Sequence, residues 1–304
     1  ICENTDASGK VPNPTLFLFI ILYYTIIMVD GNTKIIGRFH TKPNARGLNI
    51  YNPFFQTNGI NALYLLFYNP SCRPLVSGLR ELNLSGAITS GFELDPKIPE
   101  LLDKLDKSAT TAGKVGIITN KAGVLTGFYR GGSALLKSVT KKINLGGKKI
   151  VILGAGIVVK SFLAEINELP VTQQPESIEL YNRTQANADN LATNYKLIKK
   201  TSVLASIGQS YGDILINISK IGSQADDIFF TDELVKRFTF ISDVTFETEN
   251  TNLISLAKKF DKQYSTGWDM FTYYGVECFR DILEIEIDPG LLREYVSTGL
   301  STIV

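Results

Sequence analysis

The chain has 304 residues, 44% of them hydrophobic and 20% charged, with a formal net charge of +1. That is enough chain for two packed domains, an ordinary globular composition, and no global attraction for nucleic acid. Cys2, Cys72 and Cys278 are widely spaced and odd in number, which argues against a disulfide framework or a cysteine-based metal centre and points to an intracellular reducing compartment, the cytoplasm or an organelle.

Residues 1–32 read as an N-terminal extension. The chain opens at Ile1 without an initiator Met, which fits a processed or trimmed product and keeps a mitochondrion among the candidate organelles. Leu16 to Val29, LFLFIILYYTIIMV, is almost unbroken apolar sequence. It falls short of the roughly 20 residues of a spanning helix and lacks the cationic start of a signal peptide. Its β-branched and aromatic content fits a buried strand or a segment that contacts a protein partner or a membrane surface.

From Thr33 the pattern is regular. Strands are expected at 34–37 and 60–67, with a helix at 49–58 between them, a further element at 77–84 and a strand at 86–89. A helix is expected at 99–106, then two strands at 114–119 and 124–129 around the Asn120–Gly123 turn, then a helix at 133–142. The single histidine, His40, sits in RFHTKPNARG, read as a loop after a strand, so it is expected to be a surface or structural residue. From Lys107 to Ala164 there is no Asp or Glu, while Lys107, Lys114, Lys121, Arg130, Lys137, Lys141, Lys142, Lys148, Lys149 and Lys160 all fall there. Such a stretch is either a solvated basic face neutralised by acids elsewhere in the fold or a surface for cofactor phosphates, lipid or an acidic protein partner.

The chemistry-bearing stretch is Lys149 to Thr184. A β-branched run ends in Gly154-Ala155-Gly156 and passes at Ile157 into a helical pattern, and a second apolar run stops at Asn182-Arg183-Thr184. A strand, glycine turn and helix present backbone N–H groups to a pyrophosphate. At the tip of the second strand an acid would accept from a ribose 2′-hydroxyl, whereas Arg and Thr suit a 2′-phosphate. The unit is expected to bind NADP(H). A helix to Tyr195, strands at 213–219 and 238–244, and helices at 252–260, 270–283 and 291–298 follow. Alternating strands and helices make an α/β chain.

DGNTKIIG (30–37), NPFFQTNGINALY (52–64), LLDKLDKSATTAGKV (101–115), GVLTGF (123–128), GAG (154–156), YNRT (181–184), DILINISKIG (213–222) and GWDM (267–270), in this order and spacing, resemble the shikimate dehydrogenase family. The resemblance implies an α/β substrate-type domain at 33–130, a Rossmann-like NADP-binding domain at 131–270, and C-terminal helices at 271–304 that pack back on the first domain. It also implies hydride transfer between NADP and a cyclic 3-oxo acid, and adds Asn217 and Gly267 to the cofactor-site candidates Gly154, Ala155, Gly156, Ile157, Asn182, Arg183 and Thr184. Here Ile157 stands where the family places a third glycine.

The family's substrate groups are another matter. Its HSxSP serines match PNARGLN, and no serine occurs between Ser8 and Ser71. Its catalytic lysine, in VTxPxK, matches Glu93, or Asp95 in a second register, with Lys97 the only lysine nearby. Its GxNTD aspartate matches Gly131, with Tyr129 and Arg130 before it. Its AVNT asparagine matches Ile118, and its late glutamine matches Tyr274. Losing an acid–base partner alone costs on the order of 10² to 10⁴ in rate. The expectation is a catalytically degenerate relative, a structural, accessory or regulatory subunit of a larger assembly that still binds NADP(H), with protein partners engaged through the extension and the basic surface, membrane contact through Leu16–Val29, and no nucleic acid or metal. The alternative is an active NADP-dependent oxidoreductase with an altered substrate, in which Glu93 or Lys97 and Tyr129 supply acid–base chemistry and Arg130, Ile118 and Tyr274 line a rebuilt pocket.

Overall fold

The computed structural model describes residues 29–43, 46–89, 97–219, 221–222 and 229–301. Two six-stranded sheets carry the fold. The first is built from β1 (Lys34–His40), β2 (Ala62–Tyr68), β3 (Gly86–Ile88), β4 (Lys104–Leu105), β5 (Ile117–Lys121) and β6 (Val124–Phe128), ordered β2–β1–β3–β5–β6–β4. Its strands run parallel except at β5, which pairs antiparallel with β3 and β6. Helices α1 (Leu48–Thr57), α2 (Cys72–Glu81) and α3 (Lys107–Ala112) connect them.

The second sheet is wholly parallel: β7 (Lys149–Leu153), β8 (Ser177–Asn182), β9 (Ile198–Val203), β10 (Ile214–Asn217), β11 (Phe240–Asp243) and β12 (Gln263–Ser265), ordered β12–β11–β10–β7–β8–β9. Helices α5 (Ile157–Glu168), α6 (Gln185–Ala192), α7 (Asp232–Lys236) and α8 (Asn252–Lys259) cover its faces. β7 reads KIVIL and β10 reads ILIN, buried almost throughout, as a parallel strand with helices on both faces requires. The strand order reverses between β7 and β10, the topological switch point at which a doubly wound sheet opens a crevice. The protein is thus an α/β fold of two sheets, the second a Rossmann-like one.

Three helices join the sheets. α4 (Gly131–Thr140) leads from β6 into β7 and packs on α5, and α9 (Gly267–Leu283) returns from the second sheet to the first, packing on α4. α9 starts at a capping box in which Thr266 accepts from the Asp269 N–H and Asp269 accepts from the Thr266 N–H. Its Trp268, Val276, Phe279 and Ile282 pack with Ile36, Ile50, Phe54 and Tyr64 of the first unit, and α10 (Pro289–Ser301) lies against α1 and α9.

Several expectations need correction. The helix expected at 99–106 is a 3-10 turn at Pro99–Leu101 followed by β4, and Asp106 caps α3 by accepting from the Ala109 N–H at 2.8 Å. His40 ends β1 instead of opening a loop, and its Nδ1 accepts from the Lys42 N–H. β9, β12, α3 and α7 were not expected. The apolar run before Val29 lies outside the described residues, and no described helix is long and apolar enough to cross a membrane.

Candidate functional site

The first candidate site is the crevice at the switch point. Gly154 leaves β7 at φ +121°, and a Cβ there would stand 3.0 Å from the Ile218 carbonyl, so the turn needs glycine twice over. Gly156 is the N-cap of α5, and no side chain caps that helix. An α-helix leaves its first N–H groups without intrahelical acceptors, and an anion can satisfy them. The cavity in front measures about 370 Å³ and is lined by Gly154, Ala155, Gly156, Tyr181, Asn182, Arg183, Thr184, Asn187, Leu204, Ser219 and Ile221.

At its far end Asn182 donates to the Thr184 carbonyl at 2.8 Å, which shapes the tip. Thr184 is the N-cap of α6, yet its hydroxyl caps nothing. Arg183 is exposed, and no described residue hydrogen-bonds or ion-pairs with its guanidinium. Among the described residues the lining includes one cation and no carboxylate. These groups fit NADP(H): N–H groups for the pyrophosphate, a guanidinium and a hydroxyl for a 2′-phosphate.

Three of the predicted cofactor residues sit elsewhere. Asn217 is fully buried, donates to the Ile221 carbonyl and accepts from the Ser219 N–H and hydroxyl, so it shapes the loop that carries Ser219 and Ile221. Ile157 opens α5 without lining the crevice. Gly267 lines a different cavity, and a side chain there would run into the Thr245 carbonyl.

That second cavity lies between the sheets and measures about 250 Å³. Its walls are Arg38, Arg46, Ile88, Tyr129 and Gly131 from the first unit and α4, and Val158, Val244, Phe246, Gly267, Met270, Phe271 and Tyr274 from the second unit and α9. Tyr129 and Tyr274 are both among its lining residues. The Tyr274 hydroxyl donates to the Gly116 carbonyl at 3.2 Å. Tyr129 is 5% exposed, and its ring covers Gly131: a Cβ at 131 would meet Tyr129 ring atoms and hydroxyl at 3.0 to 3.2 Å. Where the resemblance implies a catalytic aspartate there is backbone under a tyrosine ring.

Arg130 and Ile118 are corrections. Arg130 turns away from the cavity, and its guanidinium binds Asp281 at 2.7 Å and Asp106 at 3.2 Å, with Glu277 at 3.8 Å. Lys137 and Arg280 pair with the same Glu277. A residue so bound, with 16% of its side chain exposed, holds α4, α9 and the start of α3 together. Ile118 is fully buried on the opposite face of β5, packed with Phe39, Val76 and Leu79, because its register opposite Ala87 and Gly127 turns it from the cavity. Lys97 is exposed and outside the lining, and Glu93 lies outside the described residues.

Sequence reasoning missed Arg38 and Arg46. Arg38 is 6% exposed in the middle of β1, and an arginine inside the apolar run KIIGRFH was a signal, since arginines are seldom fully buried without a partner. Arg46 lies over the Phe246 ring, 4.6 Å from its centroid. Burial pulls its pKa down, Glu247 opposes this, and Arg38 adds to it. Burial pushes the Tyr64 hydroxyl up to about 12 against the pull of Arg38 beside it. The basic stretch is largely neutralised from afar: Lys107 pairs with Glu168, Lys121 with Glu284, Lys142 with Asp269 and Lys148 with Asp213, besides Arg130 and Lys137.

No family model matches the chain. Its sequence is 26% identical over 280 residues to the shikimate dehydrogenase (NADP(+)) of Thermococcus kodakarensis, covering 90% of this chain and 100% of the relative. It is 29% identical over 232 residues to that of Saccharolobus solfataricus, covering 75% and 81%. Among solved structures, a shikimate 5-dehydrogenase-like protein superposes with a TM-score of 0.76 at 22% identity, covering 90% of this chain and 99% of the other. A shikimate dehydrogenase in complex with NADP+ gives 0.75 at 24% identity, with 90% and 98% covered. The 5-ketofructose reductase of a Gluconobacter species gives 0.73 at 21% identity, with 88% and 99% covered.

Proposed function

We propose that this chain, a homologue of the shikimate dehydrogenases that shares their two-domain α/β fold, has lost the dehydrogenase reaction and serves as an NADP(H)-binding structural, accessory or regulatory subunit. The observation that carries this reading is Gly131 beneath the Tyr129 ring, in a cavity whose lining among the described residues includes no lysine and no carboxylate. Bound NADPH supplies a hydride, but ketone reduction also needs a proton donor beside the reacting oxygen. Among the described residues the cavity offers the Tyr129 and Tyr274 hydroxyls and two arginines, and the Tyr274 hydroxyl is turned to a backbone carbonyl. The crevice supports cofactor binding through its uncapped helix, Arg183 and Thr184.

The partner in this reading is a protein engaged through the N-terminal extension, whose apolar run ends at the exposed Val29, within an intracellular reducing compartment. The two unbridged, buried thiols of Cys72 and Cys278 accord with that compartment. Following NADP+ reduction at the nicotinamide band with shikimate, quinate and a broad panel of hydroxy acids tests the reading. No turnover is expected. Turnover that Tyr129→Phe abolishes would replace it with the second reading, an NADP-dependent oxidoreductase of altered substrate, favoured only by the tyrosine pair facing the cavity.

A further inference from the structure

A third cavity, of about 380 Å³, lies between α3 of the first unit and α5 of the second, and it shares no lining residue with the nucleotide crevice or with the cavity between the sheets. Among the described residues, Ala164 alone in its lining has no polar side-chain atom, so the walls offer hydrogen bonds and little apolar contact. Its charges do not balance. Lys107 pairs with Glu168 at 3.0 Å and Arg130 with Asp106 at 3.2 Å, which leaves Glu165 as the lining charge with no hydrogen bond or ion pair to a described residue. Burial pushes its carboxyl above the ordinary range, Arg130 and Lys137 pull it down, and Glu277 and Asp106 push it up. One turn earlier on α5, Ser161 is 3% exposed, and no described residue hydrogen-bonds with its hydroxyl. The Thr111 hydroxyl on α3 and the Asn167 amide on α5 line the same space, again with no described partner. Burying a carboxylate or a hydroxyl without a partner is costly, and a ligand that meets both removes that cost.

We propose that this cavity binds a hydroxylated primary ammonium compound of the amino-polyol class, with its ammonium on the Glu165 carboxylate and the Ser161 hydroxyl and its own hydroxyls on Thr111 and Asn167. The donor set fits an organic cation better than a metal: no described group of three or more His, Cys, Asp or Glu side chains is placed to hold an ion, and hard cations take six or more oxygens. An ammonium donates in three directions, so it meets a carboxylate and a hydroxyl oxygen together, and the charge-assisted bond is the stronger of the two. Hydroxyls and amides both donate and accept, which suits a ligand whose hydroxyls do the same. The volume falls within the range of small-molecule pockets, which begins at roughly 300 Å³. Because α3 belongs to the first unit and α5 to the second, an occupant ties the two units together, at a place remote from both the glycine turn and the cavity between the sheets.

Titration calorimetry on the full chain with glucamine, sorbitol and hexamethylenediamine tests it. Glucamine is expected to bind saturably, and sorbitol, which carries a hydroxyl where glucamine has its ammonium, about tenfold more weakly or worse. Hexamethylenediamine, with ammonium groups and no hydroxyls, is expected to fall behind glucamine by a similar factor. Glu165→Gln is expected to weaken glucamine about tenfold or more and Ser161→Ala roughly three- to tenfold, with NADPH binding unchanged in both. Glucamine that does not bind, sorbitol or the diamine binding as tightly as glucamine, or a glucamine affinity untouched by Glu165→Gln would each overturn the proposal.

Discussion

The crevice at the C-terminal end of β7 is lined by Gly156 and the cavity between the sheets by Val158, two residues on, yet the two are built from different kinds of group. In the crevice the groups that meet a nucleotide are ends of secondary structure: the φ +121° turn at Gly154, the uncapped start of α5, the tip of β8. In the cavity the groups that would meet a substrate are side chains, and among the described residues these are Arg, Tyr, Gly and apolar residues. Backbone geometry is maintained by folding itself, so a nucleotide site built from it survives when selection on a reaction ends. Side-chain chemistry has no such protection.

Substitutions on the two sides separate these roles. The largest effect is expected from Arg130→Ala, which leaves Asp106 without its ion-pair partner and leaves Asp281 and Glu277 to Arg280 and Lys137 alone. Breaking one side of a buried ion cluster costs about 3 to 5 kcal/mol, read as a lower denaturation midpoint. A loss under about 1 kcal/mol would return Arg130 to the list of ligand-binding candidates. Arg183→Gln comes next. Losing a charge-assisted hydrogen bond to a 2′-phosphate should weaken NADPH by about 1.5 to 3 kcal/mol, roughly ten- to hundredfold, and leave NADH nearly unchanged. Equal losses for both nucleotides would deny the 2′-phosphate role.

Tyr274→Phe removes the hydrogen bond from α9 to the Gly116 carbonyl and is expected to cost about 1 kcal/mol of stability with no effect on NADPH. The smallest effect is confined to acid. Burial alone would raise the pKa of Asp269, but the Lys142 ammonium and the Thr266 N–H hold it below the ordinary value. Its folded pKa is therefore lower than its unfolded one, so it contributes stability above about pH 4, and that contribution is lost as pH falls through the folded pKa. Asp269→Asn should flatten the acid limb of the stability profile, and an unchanged limb would remove this link between α4 and α9.

The sequence made the βαβ unit legible because strand, glycine turn and tip are contiguous from Lys149 to Thr184. The alternation of strands and helices likewise predicted the α/β class and most elements of both sheets. What it hid was non-local. Residues 99–106 read as a helix, but Lys104 and Leu105 instead pair with β6, and Asp103 accepts from the Leu125 N–H. The side of β5 on which Ile118 falls depends on pairing with β3 and β6, and a strand's face flips with one residue of register. Arg130 looked like a ligand residue because Asp281 and Glu277, its partners, lie at the far end of the chain. Arg38 was visible as a charge in an apolar strand, whereas its convergence with Arg46 required the fold.

Thermal unfolding of the full chain in rising NADPH and, separately, NADH tests the crevice most directly. A ligand confined to the native state stabilises it by about 2.7 kcal/mol at a hundred times its dissociation constant. NADPH is predicted to raise the unfolding temperature with concentration, and NADH to raise it distinctly less at equal concentration. No shift at millimolar NADPH, or equal shifts for both nucleotides, would contradict the proposal that the crevice binds NADP(H) through a 2′-phosphate site.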